Sequence, residues 1–478
     1  MLTGSFPGWW WQPEDPSDRV AGVLSLDYEG LSVDLIGSLS RLEDMGRVTA
    51  FPVLHGATTD GVLVTLMDSA VTRETLIMPA LGRSTRLQPG AALIGDHVAD
   101  PQRGTWAGCS IELERMTAWA SPFGFERSLV NDGSRLNEAS LRYDRPPSVD
   151  RQIPGAALSI GPKQTVSDDL VHEAKIVVTV EADFALDRPA TLEEIYQRFF
   201  KPLLNLVILA TQKPTSIISI RLAARAEAPR KWVEVVTRRP APASEERQRL
   251  FPMDALFLLP DLLDASADAL GLWYAAAAKV ERAFDLVSAV RGTPRLFLDH
   301  RFLNAAIAVE SYHEKRFGGR TMPKKAWDRI AVAAVEAAGN AELAVEIRNR
   351  MATLNKPSLR DRIQGLLDLG AQSLCELLPD PDGLATRASR LRNDLTHPGS
   401  IDARNDEIFD TTDELLLVLE FHFLREAGFS AEQAADRLKS ASGSYSGLWL
   451  RRREEATRRK ALTETSGSQD TPPSAPPD

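Results

Sequence analysis

The hydrophobic period of this chain changes once, and that change limits what the chain can fold into. Up to about residue 186 apolar residues alternate with polar ones, in runs such as VAGVLSLDY, LSVDLIGSL, VLVTLMD, CSIELERM and KIVVTVEADF. Period-two alternation in short segments, divided by turn signals such as Thr59-Asp60-Gly61, specifies antiparallel strands rather than βαβ units. From about residue 265 onward the apolar residues instead recur at helical spacing. Helices are predicted over 266–291, 297–317, 325–353, 358–377, 383–397, 404–427 and 430–441. Gly318-Gly319, Lys356-Pro357 and Pro379-Asp380-Pro381 separate several of them. Between the two regimes, Thr191 and Glu194 form a predicted capping box that opens a helix over 190–212, with Pro202 expected to kink or divide it.

The expected fold is therefore multidomain α+β, a β-rich, sandwich-like N-terminal domain followed by an all-α bundle. With 478 residues, each part is long enough to bury its own core. The boundaries read as 1–265 for the β-rich domain, 266–296 for a connecting helix and 297–430 for the bundle. A helical extension follows over 431–463, and a Pro/Ser-rich tail expected to be disordered over 464–478. The run Trp9-Trp10-Trp11 is read as the apolar start of a strand packing into the core, in preference to a base-stacking platform.

Several function classes are excluded. Seven His and two Cys, Cys109 and Cys375, are too few and too scattered for a zinc site or a disulfide framework, and no metal or cofactor is expected. No phosphate-binding glycine loop or serine elbow is present. The N-terminus has no basic stretch leading into an apolar core, and the longest apolar runs fall well short of the ~18 residues of a membrane span. A cytoplasmic protein without membrane contact is expected. The net charge of −10 argues against nonspecific nucleic-acid binding, but it is unevenly spread, about −9 over 1–270 and about +4 over 291–400. RNA would be handled by the C-terminal half.

The segment with most chemical content is Arg390-Leu391-Arg392-Asn393-Asp394-Leu395-Thr396-His397-Pro398-Gly399. Leu384, Ala388, Leu391 and Leu395 give its helix an apolar face, leaving Arg387, Arg390, Asn393 and His397 elsewhere on the circumference. Arg392 and His397 lie about 140° apart on an ideal helix. Pro398 biases His397 away from helical geometry, so its imidazole can turn toward Arg392. Such a pair suits cleavage of RNA without a metal. The His moves the proton of the 2′-OH or of the leaving 5′-oxygen, the guanidinium clamps the phosphate, and Asn393 orients one or the other. The residues alone leave two readings open, this site or a capped helix end with surface arginines. A second pair at the same spacing, Arg295 and His300, is taken as accidental.

These residues resemble the Apea-like branch of the HEPN ribonucleases, whose signature is Arg, a polar residue, three residues and His in a helical bundle. The resemblance extends to Arg301-Phe302-Leu303-Asn304 with Val309-Glu310-Ser311-Tyr312-His313, to Ser358-Leu359-Arg360-Asp361-Arg362 with Gly365-Leu366-Leu367, and to the closing run from Glu414 to Gly428. The N-terminal half resembles the N-terminal domain of ApeA-type proteins. That likeness rests on Gly8-Trp9-Trp10-Trp11-Gln12-Pro13-Glu14-Asp15, Val20-Ala21-Gly22, Leu35-Ile36-Gly37, Gly56, Val64-Thr65-Leu66-Met67-Asp68 and Leu113 to Trp119.

The resemblance implies an abortive-infection anti-phage effector. Its N-terminal domain would sense a phage-derived trigger, and its HEPN domain would be an endoribonuclease cutting RNA, with tRNA a possible target. It implies a homodimer through the HEPN domain. Arg392 and His397 become the catalytic residues, with Asn393 beside them. Glu310 and His313 become supporting residues, although an ion pair with a bundle arginine and a packing role are the plainer readings of those two. Arg387 and Arg390 are the expected RNA contacts. The competing reading is a HEPN domain that only binds RNA or protein, as a sensor or scaffold.

Overall fold

The computed structural model describes residues 4–27, 30–40, 49–77, 82–98, 106–120, 124–132, 135–168, 174–224, 231–237, 254–293, 295–396, 405–440, 449–450 and 455. The expected disordered tail, 464–478, lies outside the described residues, as does most of the extension after residue 440. The chain divides into two compact units, Met1–Leu204 with Thr215–Leu250, and Asn205–Pro214 with Phe251–Asp478. The second unit thus takes in part of the predicted 1–265 segment.

The first unit opens with β1 (Gly4–Trp11), β2 (Val20–Asp27), β3 (Gly30–Ile36), β4 (Ala50–Thr58), β5 (Leu63–Ile77), β6 (Gly82–Gln88) and β7 (Ala91–Ile94). It continues with β8 (Trp106–Leu113), α1 (Met116–Ala120), β9 (Phe125–Asp132), β10 (Arg135–Tyr143), β11 (Val149–Ile153), β12 (Ala156–Asp168) and β13 (Ala174–Ala190). Then come α2 (Leu192–Ile195), α3 (Lys201–Thr211), of which the residues from Asn205 on belong to the second unit, β14 (Ile217–Ala223) and β15 (Trp232–Thr237). Among the described residues, thirteen strands form one antiparallel sheet in the order β11-β12-β13-β8-β14-β15-β7-β5-β4-β1-β2-β3-β6, and β9 and β10 pair with each other in a second sheet.

The sequence reading expected a sandwich; the strand order describes one continuous sheet whose first six strands close a ring, because β6 also pairs with β5. The length of β5 makes this possible. Val64–Met67 pair with β7, whereas Ala70–Ile77 pair with β6. Asp68, at φ 49°, sits between those stretches, and a bulge follows between Val71 and Arg73. An aspartate tolerates this left-handed conformation better than most side chains, and a bulge adds the bend that turns one strand between two neighbours.

The alternation in β2 is followed in the structure, with Val20, Gly22, Leu24 and Leu26 turned inward. Val20, Leu24 and Leu26, with Trp10, Leu31, Val33, Leu35, Leu54, Val64, Leu66 and Leu87, make the core of the ring. The tryptophan run divides: Trp10 and Trp11 are buried, and Trp9 is half exposed. Thr191 caps α2 in the predicted box with Glu194. Ahead of Pro202, the helix widens into a π turn over Tyr196–Phe200. A widened turn accommodates a proline that lacks an N–H and crowds the preceding turn.

Gly56 on β4 is required by the ring core. A Cβ there would lie 2.3 Å from two carbons of the Trp10 ring, which is fully buried. Gly56→Ala is therefore expected to lower the stability of the first unit by about 2 kcal/mol, through displacement of a rigid indole. Its unfolding transition in urea should move to lower concentration, while the transition of the helical unit stays in place.

In the second unit, α4 (Leu259–Ala265), α5 (Ala269–Gly292), α6 (Leu298–Phe317), α7 (Lys324–Glu336) and α8 (Ala341–Leu354) are followed by α9 (Leu359–Cys375), α10 (Pro381–Thr396), α11 (Asn405–Glu426) and α12 (Ala431–Ser440). The helix predicted over 325–353 is in fact two. Gly339, at φ 72°, ends the first, and the Asn340 side chain accepts from the Leu343 N–H at 2.7 Å to open the second. α11 contacts α5, α6, α9, α10 and α12. Every residue of α11 from Thr411 to Leu424 is buried.

Candidate functional site

α10 positions the arginines singled out in the sequence. Asp380 opens it by accepting from the Gly383 N–H at 3.0 Å, and Pro381 supplies a preset first position. Leu384, Ala385, Ala388 and Leu391 are buried and fix the rotation of the helix. That rotation sends its arginines to different fates.

Arg387 is held by two carboxylates, Asp380 and Glu414 of α11. Burial alone would lower its pKa; the charge of Glu414 and hydrogen bonds from Glu414 and Asp380 outweigh that and raise it. Arg390 pairs with Glu407 of α11 and lies 3.5 Å from Asp394. Arg392 is exposed, and no acidic side chain among the described residues pairs with it. Asn393, next to it, is also exposed. The Thr396 hydroxyl closes the last turn by donating to the Arg392 carbonyl at 2.8 Å. His397 follows directly and lies outside the described residues, so the spacing of the Arg392–His397 pair is not part of the described geometry.

Glu310 and His313 sit on α6. The Glu310 backbone carbonyl accepts from Arg362 of α9, and it is Glu314, one turn on, whose side chain approaches that guanidinium, at 3.5 Å. His313 packs its ring on Phe317, with centroids 5.0 Å apart, and its Nε2 lies where a side chain at Gly365 would project. Burial lowers its pKa, with the nearby Arg362 charge acting in the same direction. Among the described residues, no hydrogen bond, ion pair or ring contact joins Glu310 or His313 to Arg387, Arg390, Arg392 or Asn393. His300 of the second Arg–His pair is in the first turn of α6, its ring against Phe297 with centroids 6.1 Å apart.

Sequence reasoning missed the acidic half of this arrangement. Glu407, Asp410 and Glu414 follow one another at i+3 and i+4 steps along α11, and that periodicity was visible in the sequence. Deeper in the bundle, Glu420 accepts from Arg291 Nε at 2.7 Å and from Gln212 Nε2 at 2.8 Å. Asp413 lies within 4.0 Å of both Arg291 and Arg301. His422 stacks its edge among Phe421 and Tyr312 and meets the Leu366 carbonyl at 3.0 Å; burial pushes its pKa down to about 4. At neutral pH it is an uncharged member of the core.

Two family models match the chain, ApeA N-terminal domain 1 over residues 5–273 and Apea-like HEPN over residues 303–433. The chain belongs to the ApeA-type family. No curated protein and no solved structure matches it. The Apea-like HEPN match begins in α6 and runs through α9, α10 and α11, so the arginine helix and its acidic partner both belong to the HEPN domain. HEPN domains are generally of ribonuclease type, and this family background points to an RNA-directed function in ApeA-type defence. No helix among the described residues is long and apolar enough to cross a membrane.

The three arginines of α10 predict three different mutational outcomes. Glu414 is 2% exposed, so Arg387→Ala leaves a buried carboxylate without its main partner. It should cost about 3 kcal/mol, the size seen when one member of a buried pair is removed. Arg390→Ala breaks a half-exposed pair and should cost less than about 1 kcal/mol. Arg392→Ala removes no described interaction and should stay within about 0.5 kcal/mol of the parent. Urea unfolding of the three variants checks the order.

Proposed function

We propose that the helical unit is a metal-independent HEPN endoribonuclease, acting as an abortive-infection anti-phage effector in the cytoplasm. Arg392 holds the scissile phosphate and stabilises the charge that builds on it in the transition state. His397 takes the proton of the 2′-OH or gives one to the departing 5′-oxygen. The bond that forms joins the 2′-oxygen to phosphorus, and the bond that breaks releases the 5′-oxygen. The products are a 2′,3′-cyclic phosphate and a 5′-hydroxyl. Asn393 orients the His or a phosphate oxygen.

The single observation that carries this reading is the contrast on α10. Arg387 and Arg390 are committed to carboxylates of α11, while Arg392 is exposed at the helix end without an acidic partner among the described residues. A structural arginine would be expected to have its charge satisfied within the fold. An arginine awaiting a phosphate must not, since it would have to give up that partner to bind.

The same contrast reassigns the RNA contacts. Arg387 serves the fold, and Arg390, paired with Glu407 at the surface, would contact a phosphate backbone only by exchanging that pairing. A homodimer through the HEPN domain, bringing two α10 ends together, and a phage-derived trigger acting on the N-terminal domain complete the reading. RNA is the substrate, with tRNA the class to examine first.

Induction of the wild type, Arg392→Ala and His397→Ala in cells, with and without phage, tests this directly. New RNA fragments and growth arrest are expected with the wild type, and their loss in both variants at unchanged protein levels. Protection from phage that survives both substitutions would instead make the domain a non-catalytic RNA- or protein-binding module.

A further inference from the structure

α7 and α8 differ from the other long helices of the second unit in what they bury. They pack chiefly on each other. No residue of α7 is buried, and none of α8 whose exposure is described.

The pair is nonetheless a built hairpin. The Trp327 indole N–H, near the start of α7, donates to the Met351 carbonyl near the end of α8 at 2.9 Å. The Asn355 side chain accepts from the Met322 N–H at 2.9 Å and donates to the Met322 carbonyl at 3.1 Å. The two helices therefore run antiparallel, strapped at this base and turning at Gly339-Asn340. They leave Ile330, Val332, Leu343, Val345 and Leu354 between 44% and 61% exposed. Helices of 13 and 14 residues are marginal by themselves, and most helical stability in proteins comes from burying an apolar face. Large apolar side chains left in water along so short a pair mark an interaction surface.

The charges of the hairpin say what covers it. Its base carries Lys324, Lys325 and Arg329 of α7 with Arg348 and Arg350 of α8, against Asp328 alone. Its tip carries Glu336, Glu342 and Glu346. Glu346 pairs with Arg350 within α8 at 2.6 Å. Lys324, Lys325, Arg329, Glu336 and Glu342 make no ion pair or side-chain hydrogen bond among the described residues. In α7 the charges also oppose the helix dipole, with lysines at the N-terminus and a glutamate at the C-terminus, so they do not serve the helix that carries them. A second hairpin of the same sequence, laid antiparallel, puts each acidic tip beside the other's basic base and covers apolar flanks on both.

We propose that the α7–α8 hairpin is a self-association surface, taking the same hairpin of a second copy of this chain in a two-fold, antiparallel four-helix arrangement. The proposal rests on the homodimer reading above, to which it gives a surface, and is independent of RNA cleavage.

Sedimentation equilibrium of the full chain at low salt tests it. The wild type is expected as a dimer. A base-reversed variant, Lys324→Glu with Lys325→Glu and Arg329→Glu, should weaken dimerisation about tenfold or more, because like charges then meet. A tip-reversed variant, Glu336→Lys with Glu342→Lys, should do the same. Mixed in equal amounts, the two variants should form a heterodimer about as tight as the wild type, since the acidic arm of one fits the basic arm of the other. Leu343→Asp should weaken dimerisation about tenfold or more through the apolar flank. Circular dichroism and thermal unfolding verify that each variant is folded.

A wild type that sediments as a monomer would overturn this proposal and the homodimer reading together. A dimer indifferent to both charge reversals and to Leu343→Asp would overturn this surface alone and leave the homodimer held elsewhere. Two monomeric charge variants that stay monomeric on mixing would overturn the antiparallel pairing of like hairpins.

Discussion

Burying ionised side chains on a central helix sets the terms for everything around it. α11 is enclosed from Thr411 to Leu424, yet that stretch contains Asp413, Glu414, Glu420 and His422. A carboxylate removed from water demands a cation with good geometry, since the desolvation cost is otherwise several kcal/mol per ion. The surrounding helices meet that demand: Arg291 of α5 reaches Glu420, Arg301 of α6 approaches Asp413, and Arg387 of α10 reaches Glu414. His422 meets it differently, by staying neutral against a carbonyl. Each pairing locks one neighbouring helix in rotation and height relative to α11.

For α10 this registration has a functional consequence. With Leu384, Ala388 and Leu391 in the core and Arg387 tied to Glu414, the last turn of the helix is placed without help from Arg392 or Asn393. A catalytic guanidinium must be free in charge and fixed in position, two requirements that conflict when one residue has to supply both. On the proposed reading the positioning falls to Arg387 and the buried leucines, and Arg392, without an acidic partner among the described residues, is the group left for the phosphate. The acidic residues of α11 hold Arg387 and Arg390 of α10, while Arg392 has no acidic partner among the described residues.

Much of this was legible in the sequence, and the gaps have physical causes. The period change separated strands from helices, the capping box at Thr191 is as expected, and the ends of α6, α9 and α10 fall within two residues of the prediction. The ring closure was not legible, because it depends on one strand serving three neighbours through Asp68 and a bulge, and alternation alone does not reveal which strands pair. The split between α7 and α8 was legible in principle, since Gly339-Asn340 carries a stop followed by a start. Arg387 and Arg390 looked equivalent on a helical wheel. What separates them from Arg392 is the acidic face of another helix, a tertiary fact that spacing within α10 does not contain. Glu310 was expected to pair with an arginine; Arg362 does come to it, but to its carbonyl, because the side chain in reach is that of Glu314.

The central claim is that Arg392, without an acidic partner among the described residues, and His397 cleave RNA through the neighbouring 2′-hydroxyl. The most direct measurement is the chemistry of the cut ends, from RNA incubated with the purified full chain, with and without an extract of phage-infected cells, in the presence of a chelator. Fragments ending in a 2′,3′-cyclic phosphate and beginning with a 5′-hydroxyl, undiminished by the chelator, are what this account predicts. Fragments with 3′-hydroxyl ends, or cleavage that stops when divalent ions are removed, would contradict it.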